Sequence, residues 1–258
     1  GTTSSCVRNN HITVDLRKQF NQIIFNQKKD TIKIGGGVSM GNLIKKLDEF
    51  DRTFPIGLST LPGIGYILTG GISPLSRRYG LAIDNMISVE GYFGNGDYFS
   101  LNKKNLKEEE NLIWQAIKGA APFFSIVTEI GLKTFKSYPI LIFEGFVEVN
   151  ELKELIIIAE NFPESMSLQW IFSDKIYIYI VAELRKYSDI QMVEKYTNDF
   201  KKFTSLTKKN YQNFKNITFF PKELNLYQFN SNSHSEVISL LGGNLYKNAQ
   251  EFIKVLCD

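Results

Sequence analysis

Glycine is the residue type with which this sequence can do chemistry. One cluster, Gly35-Gly36-Gly37-Val38-Ser39-Met40-Gly41, separates an apolar run from an amphipathic stretch. A second runs from Gly57 through Gly63-Ile64-Gly65 and Thr69-Gly70-Gly71 to Gly80. Backbone without side chains lets a phosphate or a flat ring lie against N–H groups. The first cluster has a GxGxxxG spacing, and the run before it pairs through a hairpin. A dinucleotide turn needs a parallel crossover and an acidic residue at a following strand end, so a structural strand-to-helix turn is favoured there. The second cluster lacks the Gly-Lys-Ser/Thr ending of a P-loop. Two readings stay open for it: a bed for a ligand, or an irregular buried loop.

Other chemistry is sparse. Cys6 and Cys257 stand at opposite ends of the chain, and with His11 and His234 they do not make a metal-ligand set, so no metal is expected. They read as isolated reduced thiols of a cytoplasmic protein.

The elements that must position the glycines follow from apolar periodicity. Ile12-Thr13-Val14-Asp15 reads as a short strand. Residues 22–25 and 31–34 read as a hairpin across Asn26-Gln27-Lys28-Lys29-Asp30. Ser39 caps a helix to about Phe50, with Leu43, Ile44 and Leu47 on one face. Met86–Phe93 and Tyr98–Leu101 flank the turn Gly94-Asn95-Gly96-Asp97. Glu108-Glu109-Glu110 suit the start of a helix over about 111–118, and Phe124–Phe135 reads as a long strand. The texture changes at Tyr138-Pro139. Strand (140–149), helix (150–161), strands (167–173 and 175–184, joined by Ser173-Asp174-Lys175) and helix (189–204) then predict an antiparallel sheet with helices on one side. Ile176, Ile178 and Ile180 alternate with Tyr177 and Tyr179 as a half-buried strand should. A further strand at 217–220 and a helix from Ser235 complete the reading. The fold class is α+β, with a boundary near 138: residues 1–137 form one domain and 138–258 the other.

Composition sets the outer limits. At 43% hydrophobic and 22% charged residues the chain is globular, and its net charge of +3 carries no basic stripe, so no nucleic-acid partner is expected. No apolar run approaches the roughly 18 residues of a spanning helix, so no membrane partner is expected either.

Taken in order, the motifs resemble the FAD-linked oxidases of the vanillyl-alcohol oxidase (PCMH-type FAD-binding) superfamily, in the berberine-bridge-enzyme-like branch. The matching residues are Ile12–Leu16, Ile34-Gly35-Gly36-Gly37 with Gly41-Asn42-Leu43, Phe54-Pro55-Ile56-Gly57, Gly63-Ile64-Gly65, Thr69-Gly70-Gly71, Arg78-Tyr79-Gly80-Leu81 with Asp84-Asn85, and Gly119 with Ser125-Ile126-Val127-Thr128. The resemblance covers roughly residues 2–135, and the element order of 140–204 is that of the family's substrate domain. It implies FAD, with Leu61, Gly63 and Ile64 lining the flavin or pyrophosphate. Thr69, Gly70, Gly71 and Ser73 would give close backbone contacts. Leu75 and Tyr79 would pack beside the cofactor, and Ile126 and Val127 would offer backbone hydrogen bonds near the adenine. Asp84 and Asn85 are expected to fix the turn after Leu81.

The departures shape the rest of the reading. The family's N-terminal pyrophosphate loop, with its flavin-linking histidine, has no counterpart before Thr2-Thr3, and the chain opens without an initiator Met. It therefore reads as the second half of such a domain, truncated. Ser59 stands where the branch often has a flavin-linking cysteine, so FAD would be non-covalent. Ile72 and Pro74 replace glycines, and Phe123 and Phe124 are expected to fill volume that a glycine run leaves open. The catalytic residue stays unassigned; Tyr177, Tyr179, Glu183 and Tyr227 are possible bases, while His234 sits in a polar run. An FAD-dependent oxidoreductase acting on a small molecule is the leading expectation. The alternative is a flavin-free binding or structural homologue, and a nicotinamide Rossmann enzyme is third. A homodimer is expected to cover exposed surface.

Overall fold

The computed structural model describes residues 12–172 and 175–211. They divide into two compact units, one reaching Ser137 and one starting at Tyr138.

In the first unit, β1 (Ile23–Asn26) and β2 (Thr31–Gly35) form the expected hairpin. Helix α1 (Met40–Asp48) follows, with Ser39 accepting the Asn42 N–H at 3.3 Å and Met40, Leu43, Ile44 and Leu47 buried. Then come β3 (Arg52–Thr53), the short helices α2 (Gly65–Leu68) and α3 (Ser76–Tyr79), and a 3-10 turn (Ala82–Asn85). The hairpin of β4 (Met86–Phe93) and β5 (Tyr98–Asn102) turns at Gly96, whose φ of 91° suits glycine. Helix α4 (Glu108–Phe124) leads into β6 (Ser125–Lys133) and β7 (Phe135–Lys136).

The main sheet has the order β1-β2-β6-β4-β5, and every ladder in it is antiparallel. A dinucleotide crossover needs parallel neighbours. The described residues have none, which overturns the Rossmann alternative. Ile32, Ile34, Leu43, Leu47, Phe54, Ile67, Ile117, Ile130 and Leu132 are fully enclosed in this unit.

Three sequence expectations fail here. Residues 12–15 form no strand; Ile12 and Val14 are 95% and 58% exposed, so their alternation marks no buried face. Helix α4 is longer than 111–118 and breaks inside, with Lys118 at ψ 86° and Gly119 at φ 113°. Phe124 does pack inward, stacking on Phe93 at 6.3 Å, but Phe123 is 88% exposed and fills no interior volume.

The second unit is a four-stranded antiparallel sheet of order β11-β8-β10-β9, built from β8 (Ile140–Val147), β9 (Met166–Phe172), β10 (Ile176–Glu183) and β11 (Thr207–Tyr211). Helices α5 (Val149–Ala159) and α6 (Tyr187–Phe200) share one core with Leu141, Phe143, Ile176, Ile178 and Ile180, so both lie on one face. The start of α6 is set by Asp189, whose Oδ2 accepts the Arg185 and Lys186 backbone N–H groups. Strand β10 is buried on both faces rather than one, with Tyr177 4% and Tyr179 5% exposed. Its alternation separates an aliphatic face from an aromatic one, both covered. Strand β11 gave no apolar signal, being an edge strand with Lys208 and Lys209. The turn residues Ser173-Asp174 and the tail expectations, Tyr227 and His234 included, lie outside the described residues, as do Cys6, His11 and Cys257.

Candidate functional site

The two glycine clusters do different work. In the first, the N–H groups are already committed: Gly35 donates to Gln22 O at 2.9 Å, Gly36 to Thr128 O at 2.7 Å and Gly37 to Phe20 O at 2.7 Å. Methyl carbons there would sit 2.3 Å from Phe20 O, 2.5 Å from Val127 O and 2.5 Å from Arg17 Cα. These glycines exist so that backbone can pass backbone, and their amides have nothing left for a phosphate. Gly41 extends the same logic to the second cluster. Its N–H donates to Thr60 O at 3.0 Å, Met40 donates to Pro62 O at 2.8 Å, and Ser39 bridges Gly63.

The second cluster is held from behind. Gly70 and Gly71 have φ of 123° and 79°, in the left-handed range, and their carbonyls accept the N–H groups of Ile83 and Ala82 at 2.9 Å. Just before α3, Ser76 Oγ accepts the Ser73 N–H at 2.9 Å, and Ser73 Oγ accepts the Leu75 N–H at 3.1 Å. Asn85 Nδ2 donates to Tyr79 O at 2.9 Å and Leu81 O at 3.0 Å, while Asp84 Oδ2 accepts the Leu81 N–H at 3.1 Å. Asp84 and Asn85 therefore fix the turn after Leu81, as expected. In front, the loop is open. No atom comes within 4 Å of a Cβ position at Gly65 or Gly70. That opening, over a run of low side-chain bulk, is a cradle with room for a flat group, although the Gly70 N–H is already committed to Ile67 O at 3.1 Å.

Residues 1–102 match the family described as FAD binding domain. The match falls within the first unit. The chain is similar to (R)-6-hydroxynicotine oxidase of Paenarthrobacter nicotinovorans, 32% identical over 150 residues that make up 56% of this chain and 31% of that protein. Its fold is similar to a xylooligosaccharide oxidase from Myceliophthora thermophila C1, with a TM-score of 0.67 at 20% identity over 80% of this chain and 45% of that one. It is likewise similar to a berberine-bridge-enzyme-like protein of Physcomitrella patens, with a TM-score of 0.65 at 23% identity over 77% of this chain and 44% of that one. The chain thus spans less than half the length of these relatives. Its antiparallel α+β architecture is that of the VAO-type oxidases, as the resemblance implied.

The residues expected to meet a cofactor sort into exposed and buried ones. Leu61 (73% exposed), Gly63, Thr69 and Ile126 face outward, and Gly70 is half-buried. Ile64, Gly71, Ser73, Leu75, Tyr79 and Val127 are buried, with Tyr79 against Phe135 at a ring separation of 4.1 Å. Ile126 and Val127 pair with Tyr92 and Gly91 of β4, whereas β2 pairs with β6 only over Glu129–Lys133. Among the described residues the β2-facing edge at 125–127 has no strand partner. Gly91 makes this corner possible, since a methyl there would meet Ile126 O at 2.3 Å. The sequence reading passed over it as an ordinary strand residue.

Tyr66 was also missed. Its hydroxyl donates to Ile72 O, and burial pushes the phenol above its ordinary range. A tyrosine inside a glycine-rich run was the signal that pointed to it. In the second unit, Tyr177 donates to Glu144 Oε2 at 2.8 Å, Lys209 pairs with Glu144 Oε1, and Arg185 Nε pairs with the 1%-exposed Glu183 at 2.9 Å. Glu144 is a lone carboxylate in the apolar strand Ile-Leu-Ile-Phe-Glu-Gly-Phe-Val, and that pattern could have singled it out. Among the described residues no group of acidic, His and Cys side chains is arranged to hold a metal ion.

Proposed function

We propose that the first unit holds FAD non-covalently and that the protein is an FAD-dependent oxidoreductase acting on a small molecule. One observation carries this reading: the cradle open at Gly65 and Gly70, with Gly70 and Gly71 in the left-handed range, within the segment that matches an FAD binding domain. The residues present fit the group. Leu61, Gly63, Thr69 and Gly70 would meet the cofactor at the rim. Ile64, Gly71, Ser73, Leu75 and Tyr79 would keep that rim in place, and Ile126 and Val127 would offer backbone groups at the open edge of β6. Ser59 has no thiol with which to bond a flavin. The chemistry FAD supplies when bound is acceptance of a hydride from a substrate C–H bond, the protein supplying position and electrostatics.

Tyr177 with Glu144, Tyr179 and Glu183 are the groups of the second unit that could handle a proton, and Tyr177 and Glu144 are already joined by a hydrogen bond. A phenol already donating to a carboxylate can take up a substrate proton at oxygen as its own passes to Glu144. Among the described residues no helix is long and apolar enough to cross a membrane. A cytoplasmic setting and a homodimer complete the proposal, resting on two thiols far apart in the sequence and on the exposed apolar residues Leu112 and Phe123.

The test is uptake of FAD by purified protein. Retention of a visible flavin band after gel filtration, lost from acid-precipitated protein to the supernatant, is the expected result. Protein that stays colourless after incubation with excess FAD would remove the reading in favour of the flavin-free homologue.

A further inference from the structure

The segment from Gly65 to Ile72 contains one large side chain with a polar end, Tyr66, and its surroundings are built around it. The ring occupies a slot between two glycines. A methyl on Gly57 would lie 3.0 Å from the Tyr66 hydroxyl oxygen and 3.3 Å from Cζ, and one on Gly71 would lie 3.0 Å from Cε1. The hydroxyl reaches across the turn to Ile72 O, six residues on. The turn it spans includes Gly70 and Gly71, both in the left-handed range. On their own, two successive glycines sample more backbone conformations than any other pair, and ordering them on a ligand costs affinity. Here they are ordered beforehand, by Tyr66 at one end and by the Ala82 and Ile83 N–H groups at the other.

We infer that Tyr66 is a positioning residue for FAD: its hydroxyl, fastened to Ile72 O, holds the Gly70-Gly71 turn in its cofactor-receiving shape. The inference rests on the FAD reading proposed above. The open side of the loop is presented by Gly65 and Gly70, which have no atom within 4 Å of a Cβ position, whereas the Tyr66 ring lies against Gly57 and Gly71. Its action is therefore indirect, through the backbone it restrains. The enclosure of the phenol, which holds it neutral, keeps the hydroxyl a donor over the whole physiological range.

The experiment compares FAD binding by the full chain with that of Tyr66→Phe, which keeps the ring in its slot and removes only the bond to Ile72. Tyr187→Phe, at an exposed tyrosine of the second unit, is the control. Titration followed by flavin fluorescence gives the dissociation constant, and visible-region circular dichroism reports the flavin surroundings. Melting of each protein without FAD reports the fold. The expected result is an affinity loss of about tenfold in Tyr66→Phe, as for one hydrogen bond, with a changed flavin dichroism band. Affinity should be measured where every variant is fully folded. An unchanged dissociation constant and band in Tyr66→Phe would overturn the inference and leave the FAD reading intact, as would a loss of melting temperature alone. Wild-type protein that takes up no FAD would overturn both.

Discussion

The Tyr177 hydroxyl donates to Glu144 Oε2 across the β10–β8 ladder at 2.8 Å, and Lys209 on β11 pairs with the other oxygen of the same carboxylate. A phenol 4% exposed, a carboxylate and an ammonium group are thereby joined across neighbouring strands of one sheet. Removing the carboxylate takes away the acceptor of the Tyr177 hydroxyl and the counter-charge of Lys209 together. Glu144→Ala should cost about 2–3 kcal/mol of unfolding free energy, more than Tyr177→Phe at about 1–2 kcal/mol, because hydrogen bonds to charged groups are the stronger ones. Urea unfolding of the two variants checks the order, and a larger loss in Tyr177→Phe would contradict the network.

Gly71 and Gly65 make a contrasting pair within the cradle. A methyl on Gly71 would sit 2.5 Å from Ala82 Cβ on backbone at φ 79°, whereas one on Gly65 meets nothing within 4 Å. Gly71→Ala should destabilise the protein by about 2 kcal/mol or more, through strain and overpacking. Gly65→Ala should leave thermal unfolding almost unchanged and weaken FAD uptake, by filling the open side. Differential scanning calorimetry and FAD titration on the same two variants separate support from contact.

Asn85 is 8% exposed and spends both amide hydrogens on the carbonyls of Tyr79 and Leu81. Asn85→Ala leaves two largely enclosed carbonyls without that donor, at a cost of about 1–3 kcal/mol. Asn85→Asp should do worse, since a carboxylate beside two carbonyl oxygens offers only acceptors. Chemical denaturation ranks the two.

Alkaline stability follows from Tyr66. Its phenol is raised above the ordinary value of 10.0 by burial, so the folded state keeps a proton that the unfolded state gives up. The stabilisation is whole below pH 10.0 and is lost as pH climbs from there toward the higher folded value. Lys33, raised through its 2.6 Å pairing with Glu129, acts in the same direction. Unfolding free energy should therefore fall above pH 10.0, and Tyr66→Phe should show a shallower fall. Equal slopes for the two proteins would refute the assignment.

Local sequence was enough for the elements whose signals are local. The β1–β2 and β4–β5 hairpins declare themselves through turn residues, α1 through Ser39 and its apolar face, and the order of elements after Tyr138 through apolar periodicity. The ordered glycine motifs likewise marked the segment that matches an FAD binding domain. What those motifs do not contain is direction: whether a glycine is small because backbone crosses it or because a ligand needs the room. The first cluster read as a structural turn and the second stayed open as a ligand bed, but only the fold shows Gly35, Gly36 and Gly37 spending their amides on Gln22 O, Thr128 O and Phe20 O. Strand alternation has the same blind spot. It told apart the two faces of β10, but burial of both depends on what packs there, and the pairing of Tyr177 with Glu144, diagonal in the β10–β8 register, emerged only from the fold. Sequence fixed which residues are small and which alternate; tertiary structure decided what stands opposite them, because opposition is a property of pairs that the chain brings together only when it folds.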